Sequence, residues 1–207
     1  MRLMFSPKSK VVVIDGIKVP VDPDFRLMCG FSAAVQSDDS KRLRELAARF
    51  YFAGLPEGVS EKAAAQAMTD FYASGFSSRS KSGKGGVMDS AEPVFDFEED
   101  EAYFYADFLS AYGIDLNRAK LHWLDFCALF KGLPDECKLK RIIGIRSERL
   151  SDIKSPSEKA RVHRLKAAYA LKAVPRKRYA SAEDRNRAIL ADIERIHREA
   201  MEKRGDK

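Results

Sequence analysis

The fold is decided by residues 96–131, with the sequence DFEEDEAYFYADFLSAYGIDLNRAKLHWLDFCALFK. Asp96 and Glu99 form a capping-box pattern, which predicts the start of a helix that ends at Gly113. The apolar stripe of this helix comprises Phe104, Tyr105, Phe108, Leu109 and Tyr112. A second helix is predicted from near Asn117 to Lys131, with apolar side chains around much of its circumference. Because a helix that is apolar on most sides is buried, we expect this pair to form the centre of the core.

Upstream of this pair, the sequence predicts a hairpin and two helices. Two β-branched runs surround Asp15 and Gly16, the favoured dipeptide of a tight turn, and predict a small N-terminal hairpin. Helical spacing predicts one helix over residues 38–52 and another over 60–74, with Ser60 as the N-cap of the second. An isolated hairpin is marginal in water, so we expect it to pack on helices.

Downstream, a short helix is predicted around residues 138–145, and two further helices begin at the caps Ser155 and Ser181. The predicted fold class is therefore mainly α, a helical domain with a small N-terminal β-hairpin and a C-terminal helical extension.

Composition divides the chain into four segments. Residues 1–75 hold the hairpin and a helical pair, and 76–94 form a Ser/Gly-rich linker or loop. Residues 95–150 form the helical core, and 151–207 form a basic helical extension.

The 207 residues are enough to bury a core without covalent crosslinks. Cys29, Cys127 and Cys137 are odd in number and widely spaced, which favours neither a disulfide framework nor a zinc site and is typical of a reducing cytoplasm. Pro7 and Lys8 interrupt the N-terminal apolar run before a signal-peptide core could form. No apolar stretch approaches the roughly 18 residues needed to cross a bilayer. We expect neither secretion nor a membrane association.

The net charge of +6 comes from the C-terminal part of the chain. Residues 154–207 carry 16 basic and 8 acidic side chains, whereas residues 1–153 are slightly acidic. Arg176, Lys177 and Arg178 could contact nucleic acid, which makes a nucleic-acid-binding accessory protein the alternative function. The interleaved acidic residues are more typical of a solvated amphipathic helix that contacts protein, so nucleic acid is the less favoured partner.

The sequence contains no complete motif of an enzyme or of a metal site. Gly83-Lys84-Gly85-Gly86 lacks the spacing and the Ser or Thr of a phosphate loop, and the acidic run 96–101 lacks the glycine and spaced glutamate of a calcium loop. His122 could serve as a ligand or base only with distant partners such as Cys127 or Cys137, and the alternative is a core or interface histidine. We therefore expect no catalytic residue, no cofactor and no metal.

The central region resembles a known family. The sequence is similar to the signature of a bacteriophage family named after gene product fifteen. The similar residues are Phe95 to Leu109, 112–116, 121–126, 129–134, Ile142-Ile143 and Arg146. Asp24-Phe25-Arg26 resembles the N-terminal mark of that family, which extends the resemblance over most of residues 11–150. The linker and the segment beyond Ser151 show no such resemblance.

The resemblance implies a protein of long-tailed phages and prophages of Gram-positive bacteria, encoded in the tail module. It implies a tail assembly chaperone-like role, in which the protein binds the tape-measure protein or tail-tube subunits during virion morphogenesis. Such a protein would act in the host cytoplasm, could form a homo-oligomer and would be absent from the mature virion. The family brings no catalytic residue.

A client surface is expected on one face of the helical pair 97–131. Tyr103 and Trp123 are its candidate aromatic anchors, with His122 beside Trp123. The alternative is that both aromatic side chains belong to the core.

Overall fold

The computed structural model describes residues 8–37, 39–76 and 93–172. Its fold is mainly helical with one small antiparallel hairpin, which confirms the predicted fold class. The strands are β1 (Val11–Ile14) and β2 (Ile17–Pro20). The α-helices of the described residues are α1 (Phe25–Gln36), α2 (Ser40–Phe50), α3 (Glu61–Ser74), α4 (Glu101–Tyr112), α5 (Trp123–Lys131), α6 (Lys138–Ser147) and α7 (Pro156–Ala168).

The described residues form two compact units. The first unit contains residues 8–37, 39–76 and 120–128, and the second contains 93–119 and 129–172. The composition-based segments follow the chain from end to end, whereas the units follow contacts. Residues 120–128 therefore group with the N-terminal part of the chain.

In the first unit, the hairpin turns at Asp15 and Gly16, whose φ angles of 50° and 82° are those that a tight two-residue turn requires. Val12 pairs with Val19, and Ile14 pairs with Ile17. Ile14 and Val19 are buried on one side of the hairpin. This arrangement confirms the predicted hairpin.

The helices of the first unit include one that sequence patterning missed. The predicted helices at 38–52 and 60–74 are confirmed as α2 and α3, and the Ser60 hydroxyl accepts a hydrogen bond from the backbone N–H of Ala63. Helix α1 was not predicted, although the Asp24 carboxylate accepts from the backbone N–H of Arg26 as an N-cap. Gly30, in the middle of α1, breaks the helical signal of the sequence. A Cβ on Gly30 would lie 3.3 Å from Cδ2 of Leu46, so glycine permits the close approach of α1 and α2.

Aromatic rings form the core of the first unit. Phe25 stacks on Phe126 with ring centroids 4.6 Å apart, and Tyr72 stacks on Trp123 at 5.4 Å. The backbone N–H of Trp123 donates to the carbonyl of Pro23 at 2.8 Å, which fixes the start of α5 within this unit.

The second unit is built on a different ring cluster, formed by Phe95, Phe97, Phe104 and Phe130 with centroid separations of 5.0–5.9 Å. Helix α4 contributes Phe104 to this cluster, and Phe130 lies at the end of α5. Thus α5 contributes Trp123 and Phe126 to the first unit and Phe130 to the second. The prediction that residues 117–131 form one helix at the centre of a single core is wrong in this respect.

The predicted starts of α4 and α5 are also wrong. The Asp96 carboxylate accepts from the backbone N–H groups of Glu98 and Glu99, each at 2.9 Å, so it caps a turn that precedes the helix. Helix α4 begins one turn later, at Glu101, and ends as predicted at Gly113, which has a φ of 66°. Helix α5 begins at Trp123 because residues before it form a turn and a backbone bridge.

Two predicted helices of the second unit are confirmed as α6 and α7. Pro156 occupies the first position of α7, and Ser155 accepts from the backbone N–H of Glu158. The predicted Ser/Gly-rich linker, the Gly83-Lys84-Gly85-Gly86 element, the basic cluster at 176–178 and the helix after Ser181 lie outside the described residues.

Candidate interaction surface

Helix α4 exposes an apolar face in the second unit. We define the outer face of α4 as Ala102, Tyr103, Tyr105, Ala106 and Leu109. Ala102, Ala106 and Leu109 are exposed, and the two tyrosines at the edges are half-buried. Leu109 is 43% exposed, the largest exposure of a big apolar side chain among the described residues of this unit. Positions three and four apart share one side of a helix, so these side chains form a continuous surface.

The opposite side of α4 holds the helix in place. Phe104 and Phe108 are buried, and the buried Asp107 carboxylate accepts from the backbone N–H of Lys138 at 3.2 Å and of Leu139 at 2.7 Å. These N–H groups lie in the first turn of α6, where no carbonyl within the helix can accept them. Asp107 therefore caps α6 from a neighbouring helix and orients the outer face of α4 away from the core.

A buried ion pair fixes the turn before α4. Asp100 and Arg146 are 2% and 10% exposed, and the guanidinium donates to both carboxylate oxygens, at 2.6 and 2.9 Å. Arg146 also donates to the carbonyl of Val94 at 3.1 Å and to that of Tyr169 at 2.7 Å. This one side chain joins the turn, α6 and the end of α7.

The acidic run 96–101 therefore serves the fold at its buried positions. Asp96 caps a turn and Asp100 pairs with Arg146, so these carboxylates are saturated by protein donors. Among residues 8–37, 39–76 and 93–172, no group of three His, Cys, Asp or Glu side chains could hold a metal ion.

Two of the three candidate anchor residues lie in the first unit. Trp123 is 0% exposed, and its indole N–H donates to the carbonyl of Tyr72 at 3.0 Å. Its position is that of a core residue, which was the alternative interpretation of the sequence. His122 is half-buried, with Nε2 3.0 Å from the carbonyl of Ser9, and its Nδ1 accepts from the backbone N–H of Leu124 at 3.1 Å. With Nδ1 acting as an acceptor, Nε2 carries the proton, so both ring nitrogens have structural partners.

Tyr103 lies in the second unit, at the edge of the outer face of α4. It is the candidate anchor that the structure places at a partly exposed position beside other exposed apolar side chains. The sequence prediction missed Ala102, Ala106 and Leu109, because a stripe of helical spacing does not distinguish an outward side from an inward one. Arg176, Lys177 and Arg178 lie outside the described residues.

Burial disfavours the thiolate form of two of the three cysteines, Cys29 and Cys137. All three are free thiols, and Cys127 is buried. Burial raises the pKa of Cys29 well above its usual range, and burial likewise raises the pKa of Cys137. The Cys29 and Cys137 thiols therefore remain protonated at neutral pH, and protonated thiols are poor nucleophiles.

A second exposed apolar patch lies on the hairpin of the first unit. Val11 and Val13 are 38% and 64% exposed on the side opposite the buried Ile14. Their cross-strand neighbours are Pro20 and Lys18, and both are exposed. A charged neighbour and a proline are typical of edges that resist pairing with another strand, so we favour α4 as the contact surface.

None of the described helices combines the length and apolar character needed to span a bilayer. In comparison with known families, residues 9–171 match the family described as Bacteriophage Gp15 protein. The match extends past Ser151, where the sequence resemblance ended, and includes the whole of α7. Comparisons with curated proteins and with solved structures gave no match.

Proposed function

The chain belongs to the Bacteriophage Gp15 protein family, and from this premise we propose that it is a non-catalytic, tail assembly chaperone-like protein of a long-tailed phage. Its clients would be the tape-measure protein, tail-tube subunits or both, and it would act in the host cytoplasm without remaining in the virion. The outer face of α4 is the observation that carries this proposal.

This face suits a helical client for steric reasons. Ala102 and Ala106 are exposed and small, so the backbone of a second helix can approach α4 closely between the flanking tyrosines. Leu109 and the edges of Tyr103 and Tyr105 would then pack against apolar side chains of that helix. Helix-in-groove recognition of this kind needs an apolar face and no reactive group.

The contribution of Leu109 can be estimated from its exposure. Full burial of a leucine side chain is worth about 1.5–3 kcal/mol, so covering the exposed 43% would contribute about 1 kcal/mol. A glutamate at the same position would have to lose water on binding without gaining a partner, which costs more than that. Leu109→Glu is therefore a sharp test of the surface.

The test is co-expression with fragments of the tape-measure protein encoded by the same phage. We expect wild-type protein to keep in solution a fragment that precipitates when expressed alone, and Leu109→Glu to lose most of this effect. The matched control is Ala160→Glu, which adds the same charge at an exposed position of α7 in the same unit. Because both positions are exposed, neither variant should unfold. Fragments that stay insoluble at every dose of wild-type protein would contradict the proposal.

A further inference from the structure

The solvent side of α7 is basic. We define the basic face of α7 as Lys159, Ala160, Arg161, His163 and Arg164, and all five residues are exposed. Residues three and four apart are neighbours on a helix, so these side chains form a continuous surface. The face therefore combines lysine, arginine and imidazole groups with one small side chain.

The opposite side of α7 holds the basic face in place. Val162 lies on that side and is 1% exposed. The Nζ of Lys166 donates to the carbonyls of Ile145, Arg146 and Glu148 at 3.3, 2.5 and 2.7 Å. These carbonyls lie at the carboxyl end of α6, where the helix itself supplies no backbone donor. Lys166 therefore joins α7 to α6 and fixes the rotation that turns the basic face towards water.

The cations of the basic face are only partly neutralised within the fold. Arg161 pairs with Glu158 at the surface. In the part of the chain that the structure describes, no carboxylate lies within ion-pair distance of Lys159 or Arg164. The surroundings add to the excess, because residues 138–166 carry ten basic and three acidic side chains, a net charge of +7. The basic face is therefore a surface of positive potential that an anionic partner can approach.

The side chains around these cations favour a phosphate backbone over a protein as the partner. Protein interfaces depend on buried aromatic or aliphatic anchors, whereas phosphate contacts require cations and no apolar anchor. Among the described residues, the exposed large apolar side chains lie outside α6 and α7. The basic face also carries no aromatic ring on which the bases of a single strand could stack. Duplex DNA, which presents phosphates and keeps its bases stacked, is the polyanion that this surface fits.

We propose that the basic face of α7 binds the phosphate backbone of duplex DNA without preference for sequence. Lys159 and Arg164 supply the contacts to phosphate oxygens, and the small side chain of Ala160 lets the backbone come close. Contacts of this kind position a protein on DNA and carry no sequence information. The site is separate from the cluster at 176–178, and DNA binding is an activity beyond the proposed handling of tail proteins at α4.

The experiment measures binding of the full chain to a fluorescein-labelled duplex of about 30 base pairs by fluorescence anisotropy, between about 50 and 200 mM salt. We expect the logarithm of the affinity to fall linearly with the logarithm of the salt concentration. Two to four phosphate contacts give a slope of about −2 to −4. Lys159→Glu with Arg164→Glu should weaken binding at low salt at least about tenfold and make the slope shallower by about 2.

The matched control is Lys18→Glu with Lys120→Glu, which makes the same change in net charge at exposed positions of the first unit. We expect the control to keep the slope of the wild-type chain. A second pair of variants adds a single charge. Ala160→Glu should weaken DNA binding, whereas Leu109→Glu, which adds the same charge to α4, should not. Far-ultraviolet circular dichroism checks that each variant remains helical.

Several results would overturn the assignment of duplex DNA to α7. They are an absence of binding, an equal loss in the control, and tighter binding of a single strand or of an acidic peptide of the same charge. Loss of binding when Arg176, Lys177 and Arg178 are replaced by glutamine, but not in the Lys159 and Arg164 variant, would place the contact elsewhere. Ala160→Glu should still keep tape-measure fragments soluble, so the DNA site and the proposed function fail separately.

Discussion

Replacing Arg146 with methionine tests the contact that holds the second unit together. Asp100 is 2% exposed and receives two guanidinium hydrogen bonds, so the variant leaves a carboxylate buried without its cation. Removal of one partner of a buried ion pair costs about 3–5 kcal/mol. The carbonyls of Val94 and Tyr169 lose a donor as well, which places the expected loss in the free energy of unfolding at the upper part of that range.

The assay is urea unfolding followed by far-ultraviolet circular dichroism, with Arg161→Met as the matched control. Arg161 pairs with Glu158 on the surface of α7, where water already solvates both charges. We expect no measurable change in the control. Asp100→Asn combined with Arg146→Met should recover part of the loss, because the buried group is then neutral. An Arg146→Met variant as stable as Arg161→Met, or a double variant no better than the single one, would refute the reasoning.

Four further predictions concern single positions. Gly75→Ala should lower the free energy of unfolding by about 1–3 kcal/mol, because its Cβ would lie 2.5 Å from Nε1 of the buried Trp123. Gly144→Ala should raise the free energy of unfolding by about 0.5–1 kcal/mol, because glycine destabilises the middle of a helix and a Cβ at this position of α6 would meet nothing within 4 Å. Urea midpoints equal to that of wild type for Gly75→Ala and Gly144→Ala would contradict these two expectations. Asp107→Ala should lower the free energy of unfolding by about 0.5–2 kcal/mol, because α6 loses its helix cap. Asp107→Asn should lower the thermal unfolding temperature less than Asp107→Ala does. A larger decrease for Asp107→Asn would exclude capping as the cause. Burial raises the pKa of Asp24, but hydrogen bonds from Arg26 lower it by more, so the pKa of Asp24 lies below its ordinary value of 3.8. A carboxylate whose pKa is lower in the folded state than in the unfolded state stabilises the fold above its unfolded-state pKa, and this stabilisation is lost as the pH falls through its folded-state pKa. The difference in free energy of unfolding between wild type and Asp24→Asn should therefore be constant above about pH 5 and should shrink as the pH falls below about 4. A difference that persists in acid would contradict this sign.

The elements that sequence reasoning found are those whose signals are local. The turn at Asp15 and Gly16, the cap at Ser60 and the stop at Gly113 each depend on residues within a few positions of one another. Helix α1 was missed because its capping aspartate stands before an almost uniformly apolar run that a glycine interrupts, so neither periodicity nor propensity marked it.

The contacts that organise the candidate surface are long-range and could not be predicted in the same way. Asp107 caps a helix that begins 31 residues later, and Asp100 pairs with a cation 46 residues away. In the sequence, both carboxylates look like ordinary polar positions of an amphipathic helix or its first turn. Arg146 was noticed through the family resemblance, and nothing local to it indicated a buried ion pair.

The outer face of α4 shows why this difference bears on function. Sequence patterning assigned Tyr105 and Leu109 to the same buried stripe as Phe104 and Phe108, because all four recur at helical spacing. In the structure the phenylalanines are buried, whereas Leu109 is exposed and Tyr105 is half-buried. A helix that needs only one apolar side to pack has no structural reason to keep a second one exposed to water, since exposed apolar surface promotes nonspecific association. The outer face of α4 therefore carries more apolar side chains than the packing of the helix requires, and a contact partner would explain them. Leu109→Glu removes the most exposed of these side chains and leaves the packed side of α4 intact.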